Sequence, residues 1–240
     1  MASESEIRLN PSLDIAAAAR TLQSNRRVRV SNFFEEETAR RLLEEIRNNK
    51  VWYATYTQNG ENYESEFAKI MALSPQQRAG FIQNIYRRAS DSFQFLFLQY
   101  YITQAMKQGE DKGHPLHAVH DFFNSQPVLD MARELTGVEE IARSDAFASQ
   151  YQAGHFLSLH HDTHPTHDRV AAWVVNMSPK WDENWGGYLA FFDEKGNIEE
   201  AFKPIFNTFN IFLVPQAHAV QLVSPFAGAP RLGFTGWFMR

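Results

Sequence analysis

The sequence predicts an α+β fold, with helices first, then a sandwich or barrel of short strands, and the helices packed on one outer face of the strands. Two observations carry this reading. Up to about residue 143 the apolar residues recur mainly with helical spacing, and beyond it short apolar stretches alternate with turn formers. No repeat, low-complexity tract or Pro/Ser-rich linker divides the chain. The expected organisation is therefore one domain over 1–240, with a mainly helical support region at 1–142 and a strand core at 143–240.

In chain order, Leu13 to Leu22 is Ala-rich and follows Ser12, an N-cap residue type. Arg27 to Phe33 alternates like a half-buried strand. Glu35 to Ile46 then puts Ala39, Leu42, Leu43 and Ile46 on one helical face, with glutamates in the first turn favouring the dipole. Trp52 to Tyr63 carries four aromatics and a turn signal at Asn59-Gly60, which suggests a hairpin or a flap. Pro75 to Gln108 is expected to be helical, with a break, and Pro127 to Leu135 helical up to Thr136-Gly137. Gly109 to Pro115 between them is a loop.

From Ala146 onward eight strands are expected: Ala146–Gln152, His155–Asp162, Val170–Ser178, Gly187–Asp193, Ala201–Ile205, Asn210–Val214, Ala219–Ser224 and Arg231–Phe238. Gly154, His164-Pro165, Gly186-Gly187, Gly196-Asn197, Pro215 and Gly228 to Pro230 separate them.

Composition narrows the function classes. A net charge of −5 with no basic stripe gives no electrostatic footprint for nucleic acid. The absence of cysteine excludes disulfides, thiolate nucleophiles and zinc–thiolate sites. The opening MASESEIRLN is acidic and polar, and the most apolar stretch, Phe93 to Ile102, is too short to span a bilayer. A cytoplasmic protein with no membrane partner is expected.

Within the strands, His160 and Asp162 are two residues apart, so alternation sends both side chains to one face. Two imidazoles and one carboxylate on one side of an ion, with the other positions open, are what Fe(II) oxygenases use. His218, at the start of a later strand, is the best third ligand. His164 is the competitor, but it falls at a His-Pro turn where alternation should already have failed. Arg231 opens a strand whose same-face residues are Gly233, Thr235 and Trp237. An arginine pointing into an aromatic barrel is costly unless it meets an anion, and its planar fork suits a carboxylate.

These residues belong to a longer ordered set: Tyr151, Gly154, His160-x-Asp162, Arg169, Asn176, Trp181-Asp182-Glu183-Asn184-Trp185-Gly186-Gly187, Pro204, Asn207, His218, Val220 and Arg231 through Trp237-Phe238. Over roughly residues 127 to 240 the chain resembles the Fe(II)/2-oxoglutarate-dependent dioxygenase superfamily, in its prolyl-hydroxylase-like branch. Within that branch it is similar to the ribosomal-protein prolyl hydroxylase and predicted proline hydroxylase family. The Trp-Asp-x-x-Trp-Gly-Gly block and the Arg-x-x-x-Thr-Gly-Trp-Phe ending are its most specific parts.

The resemblance implies a double-stranded β-helix (jelly-roll, cupin-like) barrel and a single catalytic domain. It implies Fe(II) at His160, Asp162 and His218, and 2-oxoglutarate with its far carboxylate on Arg231. Tyr151 would donate its phenol to that carboxylate and Thr235 would lend a hydroxyl, with Leu189, Val220 and Trp237 as apolar walls. It also implies O2 as oxidant, ascorbate as reductant, and a proline-containing protein or peptide as substrate. Two departures accompany it. Eukaryotic relatives carry a second β-helix domain that would follow Arg240, and animal prolyl hydroxylases have tyrosine where this chain has Val174. Alternatives are the same chemistry on a free amino acid or small metabolite, a non-catalytic β-helix binding protein, and a cupin-like holder of another divalent metal. Loss of a ligand or of the arginine would favour the binding protein, and Arg231 argues against the cupin-like reading.

Overall fold

The computed structural model describes residues 6–163 and 166–240. Helices α1 (Ile15–Asn25), α2 (Glu36–Asn48), α3 (Phe67–Ala72), α4 (Pro75–Ala89), α5 (Ile102–Gln108), α6 (His117–Phe123) and α7 (Gln126–Thr136) all precede residue 143. Strands β1 (Arg27–Ser31), β2 (Tyr53–Gln58), β3 (Glu61–Glu66) and β4 (Phe95–Tyr100) are interleaved with them. Then follow β5 (Arg143–Ser144), β6 (Phe147–Tyr151), β7 (Phe156–His160), β8 (Arg169–Asn176), β9 (Leu189–Phe192), β10 (Ile198–Phe202), β11 (Thr208–Leu213), β12 (His218–Val220) and β13 (Arg231–Met239).

Local chemistry sets the boundaries. Helix α1 is capped by Asp14 rather than Ser12, its carboxylate accepting from the Ala17 amide at 2.8 Å. A reciprocal Ser74–Gln77 capping box with Pro75 at the first position starts α4. Gly137, at φ +72°, ends α7 in the left-handed conformation. Asn59 and Gly60, both at positive φ, make the tight turn of the β2–β3 hairpin. Among the described residues no helix is long and apolar enough to cross a membrane.

The strands pair in the order β1-β11-β8-β13-β6-β4-β7-β12-β9-β10, with the β2–β3 hairpin added to β4. All the pairings are antiparallel. The path curls into a nearly closed double-stranded β-helix barrel. Its open seam lies between β1 and β10 and is bridged by side chains: Arg27 meets Glu200 at 2.7 Å and Glu199 at 3.2 Å, and the Arg29 guanidinium covers the Phe202 ring.

Alternation divides the large sheet. Trp173 and Val175 of β8, Phe209 and Ile211 of β11, and Phe234 and Phe238 of β13 face outward into the main core, against Leu22, Leu42, Ile46, Phe123 and Leu135 of the helices. Their neighbours Ala172, Val174, Phe212, Arg231, Thr235 and Trp237 face into the barrel. The helices thus cover one outer face.

Three expectations are corrected. The stretch expected as one broken helix, Pro75 to Gln108, contains β4, a central barrel strand. All six of its residues are buried, so a strand covered on both faces shows no polar–apolar alternation. Strand β7 ends at His160, short of Asp162, and it is bulged: His218 pairs with His160 but Val220 with Leu157, so Leu157 and His160, three apart, both face inward. Strand β10 begins three residues before the expected Ala201, on the exposed Ile198–Glu200 edge, where polar residues on a lone edge masked the pattern.

Candidate metal centre

The end of β7 and the start of β12 lie side by side, with His160 and His218 as cross-strand partners and their ring centroids 4.1 Å apart. Each ring's Nδ1 lies 2.9 Å from a backbone carbonyl, Ser158 for His160 and Gln216 for His218. Nδ1 therefore carries the proton and donates, which leaves both Nε2 lone pairs pointing inward. Asp162 enters from irregular backbone just beyond β7. Its Oδ1 is 3.5 Å from His160 Nε2 and its Oδ2 3.4 Å from His218 Nε2.

One donor atom from each residue lies within 4.8 Å of the others, the one such group that could hold a metal among the described residues. Burial pushes the Asp162 carboxyl up, but the neighbouring His160 and His218 outweigh it and bring it to about 2. Burial pushes His218 down to about 4. Both groups are thus in their ligating forms at neutral pH. Two neutral imidazoles and one carboxylate on one side of an open cavity fit an iron ion.

Arg231 stands directly opposite Tyr151 in the β13–β6 pairing and is only 3% exposed. Among the described residues no carboxylate is paired with it. Its nearest side-chain acceptor is Asn176 Oδ1 at 3.5 Å, and its Nε is buried without a partner. Burial lowers its pKa, yet guanidinium stays charged in proteins, so the site holds an uncompensated cation. The Trp-Gly-Gly block buttresses it. Gly186 and Gly187 both sit at positive φ, the Trp181 indole donates to the Gly186 carbonyl at 2.9 Å, and the place a Gly187 Cβ would take lies 3.5 Å from Arg231 Cδ.

A cavity of about 610 Å³ joins Arg231 to the His–Asp–His group. The expected site residues Tyr151, Leu189, Val220, Thr235 and Trp237 all line it. Tyr151 stacks on Phe97 at 4.8 Å, and burial pushes its phenol up, which keeps it a donor. Thr235 differs from expectation: its hydroxyl donates to the Trp173 carbonyl at 2.7 Å, so that proton is not available to a ligand. Trp237 is more than an apolar wall. Its ring carries the Arg169 guanidinium at 3.6 Å, and Arg169 donates to the Asp162 carbonyl at 3.2 Å. His161 is exposed at the rim, and His164 lies outside the described residues.

Sequence reasoning missed the cavity wall supplied by β4 and its flanks, where Phe93, Phe95, Phe97, Gln99 and Tyr101 all face inward. The signal was present as aromatic rings at four of these five alternate positions, with Gln99 the exception. It also missed Glu64, at the mouth on β3.

Residues 146–239 match the family described as the 2OG-Fe(II) oxygenase superfamily. No curated protein matches the chain. Among solved structures, a prolyl-4-hydroxylase from Pseudomonas putida is 19% identical, with a TM-score of 0.60 over 94% of this chain and 98% of that one. A 2OG-Fe(II) oxygenase-family oxidoreductase from Burkholderia pseudomallei is 11% identical, TM-score 0.61, over 98% and 95%. A prolyl hydroxylase from Trichoplax adhaerens, in complex with a hypoxia inducible factor oxygen degradation domain peptide fragment, is 16% identical, TM-score 0.62, over 94% and 88%. At these identities the structures speak for a shared fold. The segment 146–239 that matches this family carries the His–Asp–His group and the buried arginine.

Proposed function

We propose that this protein is an Fe(II)- and 2-oxoglutarate-dependent dioxygenase that hydroxylates a prolyl residue in a protein or peptide. The observation that carries the reading is Arg231, a buried guanidinium with no carboxylate partner among the described residues, in the same cavity as the His–Asp–His group. A cation left this way costs several kcal/mol unless an anion joins it, and a dicarboxylate able to reach the metal answers both needs.

In this reading His160 and His218 bind the metal through Nε2 and Asp162 through its carboxylate. Their Nδ1–H donations to backbone carbonyls stop the rings from turning. Arg231 receives the far carboxylate of 2-oxoglutarate, and the Tyr151 phenol donates to the same group. Leu189, Val220 and Phe212 exclude water from the cavity. Arg169, held over the Trp237 ring, fixes the backbone of Asp162. When bound, iron and 2-oxoglutarate supply with O2 the oxidation that converts a C–H bond to C–OH, giving succinate and carbon dioxide.

The prolyl substrate rests on the similarity to the two prolyl hydroxylases, one of them seen with a peptide, and on a cavity that opens beside the β2–β3 hairpin. A free amino acid or small metabolite is the competing substrate class. The test is succinate formation by anaerobically iron-loaded protein, started with air and ascorbate, with proline peptides or free proline added. Peptide-stimulated succinate, with one oxygen gained on the prolyl residue, supports the proposal. Stimulation by free proline alone reassigns the substrate. No succinate and no 2-oxoglutarate binding overturn the enzyme reading.

A further inference from the structure

One lateral row of residues crosses five strands on the cavity face of the sheet. Arg231 of β13 lies opposite Tyr151 of β6, Tyr151 stacks on Phe97 of β4, Phe97 pairs with Thr55 of β2, and Thr55 pairs with Glu64 of β3. All five line the same cavity. Four steps of about 4.8 Å between strands put the two ends about 19 Å apart along the sheet. The deep end is a buried cation and the outer end an exposed carboxylate.

That carboxylate is held in place. Gln99, a buried side chain on β4, donates its amide to Glu64 Oε1 across the β2 strand between them. Fixing an exposed glutamate costs side-chain entropy and contributes little to stability, so the contact is better explained by what it presents to the cavity mouth. Glu66, one step along the same face, is taken up by Lys69, whereas no ion pair engages Glu64 among the described residues. The Tyr53 phenol beside this row is pushed up by burial and then by Glu66, Glu110, Asp111 and Glu64, while Lys69, the cation that interacts with it, is already paired with Glu66.

We propose that Glu64 determines substrate choice, seating the cationic side chain of a polypeptide whose reacting residue is flanked by lysine or arginine. The proposal rests on the oxygenase reading above and names the substrate class that the reading leaves open. A free carboxylate at the mouth attracts basic segments and repels acidic ones, and the effect is felt in choice of partner more than in total affinity.

The test uses fluorescently labelled proline-centred peptides flanked by lysine, alanine or glutamate, with binding to metal-loaded protein read by anisotropy at low and high salt. The lysine-flanked peptide should bind about five-fold tighter than the alanine-flanked one at low salt, the size of an exposed ion pair, and the margin should shrink in high salt. Glu64→Gln should abolish the margin and Glu64→Lys should reverse it in favour of the glutamate-flanked peptide. The same preference in wild type and Glu64→Lys, or no binding of any peptide, overturns the proposal. Succinate formation by the wild-type protein is measured alongside. Turnover of 2-oxoglutarate without a charge preference removes only this proposal, whereas absence of both turnover and 2-oxoglutarate binding removes the oxygenase reading itself.

Discussion

His160 and His218 are cross-strand partners whose Nε2 atoms both face the Asp162 carboxylate, at 3.5 and 3.4 Å. The two strands hold each other in register, so the placement of the three candidate ligands follows from the strand pairing. His218→Ala should therefore reduce divalent-metal affinity by about 100-fold or more while leaving the fold intact. Anaerobic titration with Fe(II) or Mn(II), together with circular dichroism, checks both halves.

Replacing Arg231 separates function from stability. In the ligand-free protein its guanidinium is buried without a counter-charge. Arg231→Met should raise the stability of that form by about 2 kcal/mol and shift 2-oxoglutarate binding to far higher concentration. Chemical denaturation with and without 2-oxoglutarate reads this. A destabilised variant that still binds 2-oxoglutarate as the wild type does contradicts the assignment.

Gly186 has φ +66°, and a Cβ there would lie 2.2 Å from the Leu222 carbonyl oxygen. Strain and clash together predict that Gly186→Ala destabilises the protein by about 3 kcal/mol. A fall in melting temperature is expected, with 2-oxoglutarate affinity falling too, because the Trp-Gly-Gly block packs on Arg231. An unchanged melting temperature would contradict the packing argument.

Burial also sets a pH dependence. His155 and His218 are pushed from 6.5 to about 4 in the fold. The unfolded chain then binds more protons than the native one between about pH 6.5 and 4, so metal-free stability is full above that window and falls as pH drops through it. The expected loss is about 3 kcal/mol per histidine. Urea denaturation from pH 7 to 4 measures the slope, and His155→Asn should make it shallower.

The site was legible where chemistry dictates residue type. His160, Asp162, His218 and Arg231 stand out in the sequence by residue type and spacing, and the fold brings all four to one cavity. The route to the site was less legible. Asp162 was expected on the strand with His160, but it lies beyond the strand's end, and the β7 bulge that turns Leu157 and His160 to the same side leaves no mark in hydropathy. Strand β4 read as helix because both its faces are buried. The partnership of Gln99 with Glu64 joins residues on separate strands, and nothing local in the sequence announces it.

The most direct measurement of the central claim is an anaerobic titration of 2-oxoglutarate into the Fe(II)-loaded protein, followed by visible charge-transfer absorption, for wild type, His218→Ala and Arg231→Met. The account predicts a saturable band in the wild type, none in His218→Ala, and in Arg231→Met a band, if any, only at far higher 2-oxoglutarate. A wild-type protein that binds iron but shows neither the band nor any binding of 2-oxoglutarate would contradict it.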